Sequence, residues 1–169
     1  MKALFDIDKK DYDPQWEVYS RPSVRGIVIR EGKLAMIYSQ KYNYYKFPGG
    51  GVEANETHTD TLIREMDEET GLQVIPATIQ PFGYVHRLEG RSTREIFDQY
   101  NYYYLCDAEE AVKAPRLEPK ELEEGFILEF VAPHHAIEVN RHGSHGGKTS
   151  VSLEREARVV ECLLQEGYL

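Results

Sequence analysis

The sequence predicts one domain of the mixed α/β (α+β) class. Short runs rich in β-branched and aromatic residues alternate with turn signals through the middle of the chain, which is typical of strands. Two stretches with apolar residues at helical spacing lie far apart, one starting at Glu56 and one at Leu153. Separated helices among several strands favour this class over a doubly wound sheet. The 169 residues suffice for one hydrophobic core, so we expect residues 1–169 to form a single domain.

The first regular elements are expected after Pro22. Residues 1–22 are polar and aromatic, and they are predicted to form an irregular lead-in. The β-branched run from Val24 to Ile29 and the apolar run from Leu34 to Tyr38 flank Glu31-Gly32, a turn signal, and so predict a hairpin. Later strands are predicted at 72–80, 83–87 and 96–105.

The last third of the chain mixes loops with short elements. Residues 107–124 are charged and contain two prolines, which predicts an exposed excursion before a short strand at 126–130. Pro133 is expected to open a short helix, and residues 140–148 are expected to form a glycine-rich and serine-rich loop. An amphipathic helix over 153–167 completes the predicted domain.

Composition narrows the classes of partner. The formal charge of −9 opposes binding to nucleic-acid backbones, which relies on clustered Lys and Arg. No apolar run is long enough to span a bilayer, and the first ten residues lack the apolar core of a signal peptide. Cys106 and Cys162 form no CxxC pair and no disulfide framework. We therefore expect a cytoplasmic protein that acts on a small molecule and contacts no membrane.

The helix predicted over 56–70 carries an acidic stripe. Glu65, Glu68 and Glu69 cluster on the side opposite to Leu62 and Met66. Like charges at this spacing destabilise a helix by a few tenths of a kcal/mol per pair, roughly. A hard cation such as Mg²⁺, which prefers oxygen ligands, would offset that repulsion. The alternative is a solvated face on which the neighbouring arginine is the local partner.

A glycine-rich segment, Phe47 to Glu53, precedes this helix. Its glycines permit close approach of the backbone, so a carbonyl there could reach a metal ion. The segment is no phosphate-binding P-loop, because no Gly-Lys-Ser/Thr follows, and it lacks the glycine spacing of a dinucleotide fingerprint. It is in any case a turn that links a strand to the helix.

Together these residues resemble a known family signature. Gly50, Glu56 and the run from Arg64 to Leu72 look like a complete Nudix box, G-x5-E-x7-R-E-U-x-E-E-x-G-U, where U is a bulky aliphatic residue. The resemblance, which covers Gly50–Leu72, is to MutT-like Nudix hydrolases. It implies an α/β/α sandwich around a mixed β-sheet and a metal-dependent hydrolase of diphosphate linkages.

The resemblance also implies residue roles. Glu68 and Glu69 match the positions that ligate Mg²⁺ or Mn²⁺, and Glu65 matches a further ligand or a carboxylate that orients water. The carbonyl of Gly49 matches a backbone ligand. One further pair, Glu56 and Arg64, matches a structural ion pair that orients the carboxylates.

The general base and the substrate contacts are less constrained. Glutamates at 118, 121, 123 and 124 are all candidates for the base, and Glu121 and Glu124 rank first because some relatives place the base just before the late strand. A solvent-facing charge run is the alternative for each of them. Arg25 is a candidate for phosphate or ribose binding, and Tyr45 and Phe47 are candidates for stacking a nucleobase. Core packing is the alternative for both rings.

The function implied is hydrolysis of a diphosphate linkage in a nucleoside diphosphate linked to another moiety. One alternative is a regulatory Nudix module that binds nucleotides. Another is a diphosphate isomerase, which would need an acid–base pair built around a cysteine. A homodimer is compatible with the sequence.

Overall fold

A computed structural model describes residues 1–147 and 150–169. The strands are β1 (Ala3–Asp8), β2 (Glu17–Ser20), β3 (Ser23–Ile27), β4 (Ile29–Arg30), β5 (Lys33–Ser39), β6 (Tyr44–Lys46), β7 (Leu72–Val74), β8 (Gln80–Gly90), β9 (Glu95–Leu105), β10 (Ala108–Val112) and β11 (Phe126–Val131). The helices are α1 (His58–Thr70), α2 (Pro119–Glu124), α3 (Pro133–His142) and α4 (Ser150–Gln165).

The largest sheet is mixed. Its order is β1-β8-β9-β2, and β3 pairs with β9 further along the same edge. β8 and β9 are antiparallel, whereas β1, β2 and β3 run parallel to their partners. A second sheet has the order β11-β5-β4 with β6 on β5, and β10 pairs with β7. The predicted mixed α+β class is confirmed.

Helices cover opposite faces of these strands. One cluster of buried residues joins Val24 and Ala35 to Leu62 and Met66 of α1. A second cluster joins the alternate strand residues to the C-terminal helices, and it includes Ile27, Leu34, Met36, Ala136, Val159, Val160 and Leu163. Because side chains alternate across a strand, the two clusters lie on opposite faces. The predicted sandwich is therefore present.

Local signals place α1 as the sequence suggests. Thr57 caps the helix, and its side chain and that of Asp60 form a reciprocal capping box. The helix ends at Gly71, whose φ of 73° is left-handed. The prediction started the helix at Glu56, two residues early, because Glu56 lies outside the cap. The hairpin is also confirmed as β4–β5, with Glu31 and Gly32 at φ 50° and 71° in its turn.

Several boundaries differ from prediction. Residues 1–22 are not an irregular lead-in, because β1 and β2 pair with strands some 80 residues away. The excursion at 107–124 contains β10 and α2. The loop predicted over 140–148 begins only after His142, and its last residue lies outside the described residues. The C-terminal helix starts and ends earlier than 153–167. Among the described residues, no helix has the length and apolar character needed to cross a membrane.

Candidate active site

The three box glutamates of α1 border a cleft. It comprises two adjoining pockets of about 400 Å³ and about 120 Å³, which share Arg21, Gly51, Glu65, Glu69, Glu118 and Glu121. We call this space the glutamate cleft. The exposed fractions of the three side chains are 4% for Glu69, 14% for Glu65 and 37% for Glu68. The acidic stripe is thus not a solvated face, because two of its members are nearly or largely buried.

Glu69 is the most deeply held carboxylate. It accepts hydrogen bonds from Lys46 Nζ at 2.5 Å and from the Gly49 N–H at 2.8 Å. Burial raises the pKa of Glu69, but the positive charges of Lys46 and Arg25 outweigh it and hold the pKa below its ordinary value. Glu69 is therefore an ionised carboxylate fixed against the glycine segment.

Arg64 links the other box carboxylates. Its guanidinium donates to Glu56 at 2.6 and 2.9 Å, to Glu65 at 2.7 Å and to Glu68 at 3.2 Å. The hydrogen bond from Arg64 is the main reason that the pKa of Glu56 is lowered to about 2. Glu56 and Arg64 are thus in contact, and Arg64 also pairs with Glu65 and Glu68.

Glu65 and Glu121 carry the opposite shift. Burial raises the pKa of Glu65, and Arg64 only partly opposes this effect. Burial also raises the pKa of Glu121 to about 7, opposed by a hydrogen bond from the Glu118 N–H and reinforced by the negative charge of Glu69. Burial and neighbouring carboxylates thus favour the protonated forms of Glu65 and Glu121, in contrast to Glu69.

The glycine segment packs tightly against these carboxylates. Gly49 has φ 136°, and a Cβ there would lie 2.1 Å from the carbonyl oxygen of Val24. A Cβ at Gly50 would lie 2.3 Å from Glu65 Oε1. The Gly49 carbonyl, predicted to be a metal ligand, accepts a hydrogen bond from Arg25 in this structure.

Other candidates divide between the cleft and the core. Arg25 and Glu121 line the cleft. Glu124 is buried and accepts a hydrogen bond from the Tyr44 hydroxyl at 2.9 Å. Tyr45 is 4% exposed with its hydroxyl bonded to a glutamate of β11, and Phe47 is 0% exposed. Burial of both rings argues against the predicted stacking role, so we leave Tyr45 and Phe47 out of the site.

Several cleft residues were missed by sequence reasoning. Among them, Arg21, Lys46, Phe97 and Gln99 line the larger pocket, and none belongs to the box. Lys46 was within reach of a local argument, because it follows Tyr45 in the strand that enters the glycine segment. The other three come together only through the pairing of β2 with β9.

Comparison with known proteins assigns the family. The model of the NUDIX domain family matches residues 20–149, which is most of the chain. The chain belongs to the NUDIX domain family. Nudix hydrolases generally use divalent metal ions.

Curated relatives match part of this Nudix chain. It is 39% identical over 56 residues to 8-oxo-dGTP diphosphatase from Buchnera aphidicola subsp. Schizaphis graminum, a match that covers 31% of the chain and 43% of the relative. It is 38% identical over 72 residues to ADP-ribose pyrophosphatase from Methanocaldococcus jannaschii, covering 39% and 41%. The matched part thus spans about two fifths of the length of these relatives.

Solved structures share the Nudix fold at low identity. The ORF135 protein of E. coli superposes with a TM-score of 0.58 at 17% identity, over 89% of this chain and 94% of that chain. A MutT structure from work on Aliivibrio salmonicida and Vibrio cholerae gives a TM-score of 0.54 at 20% identity, over 88% and 99%. These likenesses bear on the fold alone.

The donor chemistry of the Nudix cleft fits a hard divalent cation. Its oxygen donors are the carboxylates of Glu65, Glu68, Glu69 and Glu121, the ligand type that Mg²⁺ and Mn²⁺ prefer. Within residues 1–147 and 150–169, however, no three His, Cys, Asp or Glu side chains converge closely enough to hold an ion as they stand. Arginine and lysine contacts engage the box carboxylates instead.

Proposed function

We propose that the protein is a divalent-metal-dependent hydrolase of a diphosphate linkage in a nucleoside diphosphate linked to another moiety. The observation that carries the proposal is the cluster of Glu65, Glu68, Glu69 and Glu121 around one cleft, in a chain of the Nudix family. Such a concentration of buried carboxylates costs stability unless cations offset it. Lys46 and Arg64 offset part of this charge, and divalent ions bound with the substrate would offset more of it.

We assign the metal-holding role to Glu68 and Glu69, with Glu65 as a third ligand or water-orienting group, and Mg²⁺ or Mn²⁺ as the ion. Arg64 holds Glu65 Oε1 and Glu68 Oε2, so the ion would be bound through the second oxygen of each carboxylate. When bound, the ion would neutralise non-bridging oxygens and lower the pKa of the attacking water. The Gly49 carbonyl is retained as a candidate ligand, although Arg25 competes for it.

The remaining steps fall to residues of the chain itself. Arg25 and Lys46 lie beside Glu69 and would bind the phosphate oxygens. Glu121 is the proposed general base, because it lines the cleft opposite α1 and its raised pKa suits proton transfer near neutral pH. Glu124, the other candidate, is engaged with Tyr44 outside the cleft.

The two alternatives lack specific support. A regulatory module that only binds nucleotides has no use for an intact set of box carboxylates, and every one of them is present. An isomerase would need a reactive thiol. Cys106 is buried outside the cleft, where burial raises its pKa to about 12, and Cys162 lies on α4.

The wider assignments remain part of the same proposal. We expect residues 1–169 to act as a single Nudix domain, since β1 and α4 pack onto the part that the family model matches. The two free cysteines support a reducing, cytoplasmic setting. The expected partner is a small nucleotide-like diphosphate rather than a nucleic-acid backbone, and a homodimer is compatible with the fold.

The test is a substrate panel. The purified protein is incubated with Mg²⁺ or Mn²⁺ and with nucleoside triphosphates, dinucleoside polyphosphates, nucleotide sugars and ADP-ribose, and released phosphate, pyrophosphate and nucleoside monophosphate are measured. We expect metal-dependent cleavage of at least one substrate, abolished by EDTA. No turnover on any diphosphate would remove the hydrolase assignment and leave the binding module.

A further inference from the structure

One side of the glutamate cleft, which we call its floor, is formed by β9 together with β2 and β3, which both pair with β9 in parallel. The register pairs Tyr19 with Phe97, Ser23 with Asn101 and Arg25 with Tyr103. Arg21 and Gln99 lie between the first two pairs and line the same pocket. From Phe97 to Tyr103 the strand rises over six residue steps, about 20 Å. The floor thus leads from the glycine segment outwards, along a line long enough for several chemical groups.

Polar groups at the inner end of this floor are already engaged. Arg25 donates to the carbonyl of Gly49, and the Ser23 hydroxyl donates to Asn101 at 2.8 Å. By contrast, neither the Arg21 guanidinium nor the Gln99 side-chain amide has a hydrogen-bond or ion-pair partner among the described residues. The middle of the floor therefore presents a cation and an amide with unused donors and an unused acceptor.

The outer end of the floor is aromatic. Phe97 is half-buried, lines the pocket and stacks beside Tyr19 with ring centroids 6.2 Å apart. The guanidinium groups of Arg87 and Arg91 lie over the Phe97 ring, 5.6 and 5.9 Å from its centroid. A flat ligand that stacks on Phe97 would take the place of these guanidinium groups. An aromatic ring next to an unpartnered amide is the combination that binds a nucleobase, by stacking on its face and hydrogen bonding to its edge.

The balance of charge in the larger pocket also favours a ligand with a neutral part. Four cations line the larger pocket, and four carboxylates line it with them: Arg21, Arg25, Lys46, Lys120, Glu65, Glu69, Glu118 and Glu121. The pocket is therefore no trap for a densely charged polyphosphate, which would need a clear excess of cations. A ligand with charge at one end and a neutral, flat group at the other matches this floor better.

We propose that Phe97, Gln99 and Arg21 form a nucleoside subsite. The nucleobase stacks on Phe97, the Gln99 amide hydrogen-bonds its polar edge, and Arg21 contacts the sugar–phosphate portion that leads to the glutamates. The inference rests on the proposed function, because it takes the diphosphate to lie at the glutamates. It assigns the specificity for a nucleoside to the β2–β9 floor rather than to Tyr45 and Phe47.

The test compares two probes that carry the same methylene-bridged diphosphate. One is α,β-methylene-ADP and the other is methylenediphosphonate, which lacks the nucleoside. Calorimetric titration in Mg²⁺ gives the dissociation constant of each probe for the wild type, Phe97→Leu and Gln99→Ala. Tyr100→Ala is the matched control, because Tyr100 lies on the opposite face of the same strand and stacks on His86. Melting temperatures establish that each variant folds.

The wild type should bind the nucleoside probe more tightly than methylenediphosphonate. Phe97→Leu should weaken the nucleoside probe by roughly 5- to 100-fold, the range expected for loss of one stacked base, and should leave methylenediphosphonate unchanged. Tyr100→Ala should alter neither. Equal wild-type affinities, or equal effects of Phe97→Leu and Tyr100→Ala, would overturn the subsite. Tight nucleoside binding without turnover in the substrate panel would instead overturn the hydrolase proposal and leave the subsite standing.

Discussion

Arg64 provides a sharp test of how the cleft is supported, because the chain contains a matched arginine elsewhere. Arg64 makes four hydrogen bonds of 2.6 to 3.2 Å to three glutamates and is 25% exposed. Arg141 makes four hydrogen bonds of 2.6 to 3.0 Å to Glu154 and Glu161 and is 28% exposed. Arg64→Lys and Arg141→Lys therefore remove similar contacts, but only the first lies at the cleft.

The expected loss of stability is similar for both variants. Lysine keeps the charge but loses about two of the four hydrogen bonds, each worth about 1.5–3 kcal/mol when charged. Partial exposure reduces the total to about 1–2 kcal/mol. For a chain of this length, that lowers the melting temperature by about 2–8 °C.

Metal affinity should separate the two variants. Arg64→Lys leaves Glu65 and Glu68 less well oriented, so Mn²⁺ affinity should fall by about 10- to 100-fold, as is common when a group behind the ligands is lost. Arg141→Lys should bind Mn²⁺ as the wild type does. The assay is a titration followed by the electron paramagnetic resonance signal of free Mn²⁺. Equal affinities in the two variants would refute the supporting role of Arg64.

Three further substitutions test other parts of the site. Gly49→Ala should lower the melting temperature and the turnover more than Gly32→Ala does. Both glycines have positive φ, but only a Cβ at residue 49 would lie 2.1 Å from a backbone carbonyl oxygen. Equal effects of the two substitutions would contradict this. Glu56→Gln should make the free energy of unfolding depend less on pH in the acid range. The folded pKa of Glu56 is about 2, below its ordinary 4.5, so its contribution to stability is complete above about pH 4.5 and is lost as the pH falls through 2. Urea unfolding at several pH values checks this, and identical pH profiles would refute it. Glu121→Gln should lower kcat by about 10²- to 10⁴-fold, whereas Glu124→Gln should not, and equal losses would remove Glu121 as the base.

The parts of the fold that local signals determine were predictable. α1 is bounded by a capping box and a left-handed glycine, both within a few residues of the helix ends. The β4–β5 turn is marked by Glu31-Gly32 in the same way. By contrast, β1 lies in the segment predicted to be irregular, although Phe5-Asp6-Ile7-Asp8 alternates apolar and acidic residues as a half-buried strand does. Its partner β8 begins more than 70 residues later in the sequence, and no turn signal links the two strands.

The site likewise contains some residues that local spacing predicts and others that only the folded chain brings together. Glu65, Glu68 and Glu69 lie on one helix, so their spacing alone brings them together. Glu121 reaches the cleft from α2, and no periodicity distinguishes it from Glu124 before the chain is folded. Phe97 contributes to the cleft because β2 pairs with β9 in one particular register, and the sequence does not state which strands pair.

The proposal that box carboxylates hold a catalytic metal ion is tested most directly by neutralising one of them. Glu68→Gln replaces a ligand oxygen with a poorer amide donor, whereas Glu123→Gln alters an exposed glutamate that pairs with Lys41. Turnover and Mn²⁺ affinity are measured together for both variants and for the wild type. We predict a loss of turnover of more than about 100-fold with weakened Mn²⁺ binding in Glu68→Gln only, at an unchanged melting temperature. Undiminished turnover in Glu68→Gln would contradict the account.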